Sequence, residues 1–202
     1  MDTPLQAPVE DLRMRLAQRL LTLDEVRAAH RAFETAPRRL RPAGVLVPIV
    51  DRPQGPSVLL TLRSLSLTKH AGQIAFPGGR ADPGDADIVA TALRETREET
   101  GIDAAFVTPV GGLEPVESVT GFLMFPVVAV VREGFAAVAN PGEVDAIFEA
   151  PLAFLMDPAN QVLKSGTFAG VAREYYSIAF GDHDIWGATA RILVNLGRRL
   201  AR

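Results

Sequence analysis

Residues 76–102 read "FPGGRADPGDADIVATALRETREETGI". The second half of this stretch places Glu95, Glu98 and Glu99 within five residues, with no lysine among them. At the i to i+3 and i to i+4 spacings of a helix, the three share one face. Like charges so arranged oppose one another by roughly 0.2–0.5 kcal/mol per pair. Something cationic should offset that repulsion, either the flanking Arg94 and Arg97 or a divalent metal ion. The first half supplies Gly78, Gly79 and Gly84, which permit a tight loop with backbone N–H groups turned toward a ligand. The loop feeds the N-terminal side of a helix expected from about Asp87 to Thr100, where the dipole favours anions. Gly101 suits the C-terminal cap of that helix. Hard oxygen ligands at this density suit Mg²⁺ or Mn²⁺, which keep several waters and bind substrate phosphates. The two halves together describe a metal-assisted diphosphate site.

Working outward, "GVLVPIVDR" and "SVLLTLRS" are apolar, branched runs separated by "PQGP", which predicts two strands around a turn. "QIAFPGGRADPGDAD" carries the punctuation of a loop. After the glutamate helix, "FVTPVGGLEPVES" and "FLMFPVVAVVRE" predict strands, with a turn at Thr120–Gly121. "PLAFLMDP" has room for one or two helical turns, "REYYSIAF" alternates like a strand, and "DIWGATARILVNLGRRLAR" is an amphipathic helix. Upstream, Leu12, Leu16, Leu20 and Leu21 recur at helical spacing within residues 8–34, and Thr22–Glu25 has the capping-box form that starts a second helix. Strands mixed with a few helices give an α/β or α+β fold, a mixed sheet with helices on both faces. Residues 1–35 are expected to form an appended N-terminal helical arm, and residues 36–202 the main domain.

Composition sets outer bounds. With 202 residues and 48% hydrophobic content, the chain can bury one sizeable core. A net charge of −3 leaves no global basic field, so nucleic acid is not an expected partner and a locally held small anion is. The sequence has no cysteine, which excludes disulfides and thiolate metal sites and fits a reducing compartment. No 18-residue apolar run appears and the N-terminus lacks the charged-then-apolar order of a signal peptide, so the expectation is a cytoplasmic protein without membrane attachment.

Several fixed spacings coincide with a known family. "RETREETGI" resembles the signature of the Nudix hydrolases at Arg94, Glu95, Glu98, Glu99, Gly101 and Ile102. Thr96 stands where an aliphatic residue is usual, and Asp85 stands where Glu is the norm, one residue farther from Arg94 than usual. Upstream, "LLTLRSLSLTKHAGQIAFPGG" is similar to the motif of the coenzyme A pyrophosphatase branch at Leu59, Leu60, Thr61, Arg63, Ser64, Gly72, Phe76, Pro77, Gly78 and Gly79. Thr68 occupies the place of a usual basic residue, with Lys69 beside it. "NPGEV" (140–144) and "DIWGATARIL" (184–193) also look like this branch.

The resemblance implies an α/β/α sandwich and metal-dependent hydrolysis of the coenzyme A diphosphate to 3′,5′-ADP and 4′-phosphopantetheine. In that reading Glu95, Glu98 and Glu99 hold Mg²⁺ or Mn²⁺, and Arg94 braces them. The general base is a helix glutamate or an acidic residue of a distal loop, with Glu143 the distal candidate. Arg63, Lys69, His70 and Arg80 flank the Gly78–Gly79 loop and are placed to neutralise phosphate, the 3′-phosphate being the expected target of Arg63. For His70 a hydrogen-bonded structural role stands equally open. Phe122, Met124 and Phe125 are expected in the core, with a pantetheine groove as their other reading. Trp186 is expected to fix the last helix to the sheet, its indole N–H needing a partner. Two other functions stay open: hydrolysis of ADP-ribose or another nucleoside diphosphate derivative, and nucleotide sensing without turnover. The N-terminal helices are the candidate surface for a homodimer.

Overall fold

A computed structural model describes residues 9–35, 40–68, 70–168 and 170–201. Two strands organise it. β1 (Arg41–Val50) and β7 (Phe122–Val131) run parallel, in register from Arg41–Phe122 to Val50–Val131. Both are long apolar runs because both of their faces are covered. On β1, Val45, Val47 and Ile49 face one hydrophobic cluster while Leu46 faces another. On β7, Val128 and Val130 join the first cluster, and Phe125, Val127 and Ala129 the second. That alternation is the period-two signature of a sheet between two layers.

The helices fill those layers. On one face lie α1 (Val9–Arg19), through Leu12 and Leu16; α4 (Leu152–Met156), through Leu152 and Leu155; and α5 (Gly187–Leu200), through Ile192, Leu193 and Leu196. On the other face lie α2 (Leu23–Glu34), through Val26 and Phe33, and α3 (Ile88–Thr100), through Ile88, Val89 and Ala92. The capping box at Thr22–Glu25 is formed in both directions, with Thr22 N–H donating to the Glu25 carboxylate at 2.7 Å and Glu25 N–H donating to the Thr22 hydroxyl at 3.2 Å. α1 and α2 thus supply core side chains to the two layers of the sandwich.

β2 (Ser57–Arg63) pairs antiparallel with β1, and β5 (Val107–Gly112) and β6 (Val116–Glu117) pair antiparallel with β7. Three features depart from the sequence expectation. The glycine loop contains short strands, β3 (Ile74–Ala75) against β2 and β4 (Gly78–Arg80) against β1. Backbone pairing there needs no apolar side chains, so composition hides it. Two further strands carry no sequence expectation: β8 (Val144–Pro151), which pairs with β2, and β9 (Val162–Phe168). β9 is mostly exposed, and it forms a separate sheet with β10 (Val171–Phe180) and β11 (His183–Trp186), so Asp184–Trp186, expected to open the last helix, pair with β10 as a strand and α5 begins at Gly187. Among the described residues, no helix is long and apolar enough to cross a membrane.

Candidate active site

α3 begins and ends as its sequence demands. The Asp87 carboxylate accepts from Ala90 N–H at 2.9 Å, and Gly101 closes the helix with a φ of 68°. Between these caps the helix buries Ile88, Val89 and Ala92 and turns its glutamates toward the glycine loop. Thr96, in the place where an aliphatic residue is usual, is buried, and its hydroxyl donates to the Ala92 carbonyl at 2.7 Å. The hydroxyl thereby costs no unsatisfied donor in the core.

The loop is held against the helix by a hydrogen bond from Gly78 N–H to Glu99 Oε2 at 3.0 Å. Gly78 has a φ of 153°, and a Cβ there would collide with the backbone of Gly44 and Val45. A Cβ on Gly79 would overlap the Glu95 carboxylate. The two glycines therefore let the loop lie directly on the acidic face.

Arg94 is the brace of this face. Its Nη1 donates to Glu95 Oε1 at 2.8 Å and to Glu98 Oε2 at 3.0 Å. Its Nε and Nη2 donate to the two oxygens of Asp85 at 2.8 and 2.9 Å, and Nη2 also reaches the Arg80 carbonyl. Asp85 thus sits where a fork-shaped partner holds the guanidinium, and the Arg94 guanidinium keeps its carboxyl well below the usual range. The early acidic residue of the motif acts on the helix through Arg94.

Burial raises the Glu99 carboxyl to about 7, against the lowering effects of the Gly78 N–H and Arg63. Burial likewise raises Glu95, with Glu98 and Glu143 adding to the effect and Arg94 opposing it. Arg63 Nη1 lies 3.6 Å from Glu99 Oε1. The β2–β8 ladder slips between Leu62 and Arg63, and such a bulge redirects the side chain that follows. Arg63 Nε is buried and has no hydrogen-bond partner among the described residues. An unsatisfied buried donor costs about 1–3 kcal/mol, which an incoming oxygen would offset.

These groups open into one cleft of about 900 Å³. Arg63, His70, Gly78, Gly79, Arg80, Glu95, Glu99 and Glu143 all line it. Glu98 and Arg94 stand beside it, joined to Glu95 through the guanidinium. Lys69 lies outside the described residues. His70 has a φ of 59°, and its two ring nitrogens engage Gln73 at 2.6 Å and Thr120 at 3.2 Å. It ties two loops together at the cleft, with both nitrogens already partnered. Phe125 is in the core, whereas Phe122 and Met124 line the cleft. Trp186 also differs from expectation. Its half-buried ring lies against Phe168 and Tyr175 of the smaller sheet and faces the cleft. Neither this aromatic wall nor the Asp85–Arg94 clamp follows from composition. Only the alternation of "REYYSIAF" hints at the wall, by placing Arg173 and Tyr175 on one strand face.

The donor set has the chemistry of a hard-cation site. Glu95 and Glu99 are carboxylates withdrawn from water, and burial disfavours their ionised forms. As the side chains stand, no three acidic or histidine groups among the described residues converge on a common point, and Arg94 bridges Glu95 and Glu98.

The sequence matches the NUDIX domain family model over residues 40–166. It is 41% identical over 168 residues to an uncharacterized Nudix hydrolase, NudL, of Photorhabdus laumondii, covering 81% of this chain and 89% of that one. It is 43% identical over 164 residues to the NudL of Salmonella paratyphi B, covering 79% and 83% respectively. Among solved structures, a MutT/nudix family protein from Enterococcus faecalis aligns with a TM-score of 0.51 at 15% identity, over 96% of this chain and 75% of that one, a likeness of fold.

Proposed function

The chain belongs to the Nudix hydrolase family, and on that premise we propose that it hydrolyses the diphosphate of coenzyme A, and of coenzyme A derivatives, to 3′,5′-ADP and 4′-phosphopantetheine. The single observation that carries this reading is a braced carboxylate face on α3 opening into the same cleft as Arg63, whose buried Nε lacks a partner among the described residues. The upstream motif from Leu59 to Gly79 supports coenzyme A as the substrate. We place the catalytic domain from residue 36 onward, with residues 1–35 as its helical extension.

Nudix hydrolases generally use divalent metal ions. Glu95, Glu98 and Glu99 would hold Mg²⁺ or Mn²⁺, which when bound neutralises diphosphate oxygens and lowers the pKa of water. The remaining work falls to the chain's own groups. Asp85 fixes Arg94, and Arg94 fixes the half-buried Glu95 and the exposed Glu98 in place. Gly78 N–H fixes Glu99. Arg63 offers its guanidinium N–H groups to a diphosphate oxygen beside Glu99, and Arg80 adds positive charge at the rim of the cleft. In the hydrolysis, water oxygen bonds to one phosphorus, and the bridging oxygen leaves with the electron pair of the broken P–O bond. Glu143, half-buried in the cleft and electrostatically coupled to Glu95 and Glu99, is our candidate to accept the water's proton.

A substrate panel tests the reading. The kcat/KM for coenzyme A should exceed those for ADP-ribose and other nucleoside diphosphate derivatives. A preference for ADP-ribose would overturn the substrate, and binding without turnover of any diphosphate would leave a sensor.

A further inference from the structure

The smaller sheet has one face that the catalytic reading leaves without a task. Its register fixes which residues share that face. Tyr175 pairs with Lys164, Arg173 with Gly166, and Ser177 with Trp186. Ile178 and Ile185 point the other way and are fully buried in the core. The face opposite to them therefore carries Phe168, Tyr175 and Trp186, together with Arg173, and all four line the cleft.

The three rings form a contiguous surface. Phe168 and Trp186 are nearly parallel, with centroids 5.9 Å apart and an interplanar angle of 16°. Tyr175 meets both edge-on, at 5.6 and 5.8 Å. Gly166 makes room for this grouping: a Cβ there would stand 3.2 Å from the Tyr175 ring and 3.4 Å from the Phe168 ring. All three rings are only half-buried. Leaving that much aromatic surface in a cleft is unfavourable unless something flat covers it.

The other aromatic side chains of the cleft are less suited to that task. Phe76 is buried. Phe122 already has the Arg41 guanidinium over its ring at 4.2 Å. Arg173 is exposed beside Tyr175 and has no ion pair among the described residues. A flat base with an attached phosphate matches rings flanked by a free cation, whereas a pantetheine chain has two small amide planes and no aromatic ring to stack.

We propose that Phe168, Tyr175 and Trp186 form the subsite for the purine base of the substrate, with Arg173 neutralising a phosphate on the attached ribose. This rests on the proposed function only in taking the base to be the adenine of the same diphosphate. Stacking of a base on aromatic side chains changes affinity by about 5- to 150-fold when a ring is removed.

Trp186 is the single tryptophan of the chain, so intrinsic fluorescence reports on this subsite directly. Adenosine 3′,5′-bisphosphate has no diphosphate to cleave and can be titrated in Mg²⁺ buffer without turnover. The expected result is a saturable change in Trp186 emission with adenosine 3′,5′-bisphosphate and none with 4′-phosphopantetheine. Tyr175→Leu and Phe168→Leu should each raise the Kd for the bisphosphate by about 5-fold or more, with melting curves showing that they remain folded. Arg173→Gln, at an exposed position, should weaken the bisphosphate more than adenosine 5′-monophosphate. No saturable change in the wild type, an equal response to phosphopantetheine, or unchanged Kd in the folded leucine variants would overturn the subsite. Fluorescence binding without coenzyme A hydrolysis would remove the proposed reaction and keep the subsite. Hydrolysis without the fluorescence response would do the reverse.

Discussion

Replacing Glu99 with glutamine separates what this carboxyl costs the fold from what it gives to activity. The side chain is almost fully buried, and burial raises its pKa from 4.5 to about 7. Between those values the folded protein holds a proton that the unfolded chain has released. The stabilising effect is complete below the unfolded value and is lost as pH rises through the folded one. By linkage, the wild type loses roughly 2 kcal/mol of stability from this group between about pH 5.5 and about pH 8. With an unfolding entropy of ~2.1 cal/mol/K per residue over 202 residues, that is a fall in Tm of about 5 °C. Glu99→Gln keeps an oxygen to accept from Gly78 N–H and removes the titration. The difference in Tm, variant minus wild type, should therefore grow by about 5 °C across this range, measured in chelator so that no cation compensates the wild type. Asp85 titrates alike in both proteins and drops out of the difference. Turnover of the variant should fall by at least about 100-fold, since an amide lacks the charge that a hard cation requires. Parallel Tm curves for the two proteins would refute the assignment of Glu99 as a desolvated carboxyl forced to ionise at neutral pH.

Other perturbations probe neighbouring groups. Glu98→Gln, at a half-exposed site, should lower turnover by about 100-fold or more with little change in Tm; near-wild-type activity at saturating Mg²⁺ would remove it from the site. Gly79→Ala should lower kcat by displacing the Glu95 carboxylate, and a crystal structure of the variant with Glu95 unmoved would contradict that. Asp85→Asn removes a charged partner from Arg94 and should cost about 1–3 kcal/mol of stability in urea unfolding, together with a loss of kcat; an unchanged urea midpoint and kcat would rule out the clamp. Arg63→Ala should reduce kcat/KM by about 10- to 150-fold, with Arg63→Lys recovering only part. Because the guanidinium lies beside Glu99, the loss should be equal for coenzyme A and dephospho-coenzyme A; a loss confined to coenzyme A would mean that Arg63 reads the 3′-phosphate.

The sequence disclosed what is local. Thr22–Glu25, the start of a helix near Asp87 and Gly101 are signals within one or two turns of a helix, and each appears in the structure, where Asp87 proves to be the N-cap. The apolar runs of β1 and β7 were legible because a strand covered on both faces needs apolar residues at every position. What stayed hidden depends on register and on contacts distant in sequence. β8 lacks a clean alternation, with Asp145 and Glu149 four residues apart among apolar ones, and β9 mixes Lys164, Ser165 and Thr167 with apolar residues because most of it is exposed. Asp85, the carboxylate that clamps Arg94 from outside the helix, sits in the loop before α3. His70 meets Thr120 fifty residues on. The aromatic wall exists only once three strands have set their register, since no short window contains Phe168, Tyr175 and Trp186 together.

We propose that the glutamate face of α3 serves hydrolysis of the coenzyme A diphosphate. Its most direct test is product analysis after incubating the protein with coenzyme A and Mg²⁺, alongside the Glu98→Gln variant and a sample containing chelator. The expected result is 3′,5′-ADP and 4′-phosphopantetheine in equal amounts from the wild type, both formed about 100-fold or more slowly by the variant, and neither product in the sample with chelator. Intact coenzyme A in the wild-type sample, or equal product with and without Glu98, would contradict it.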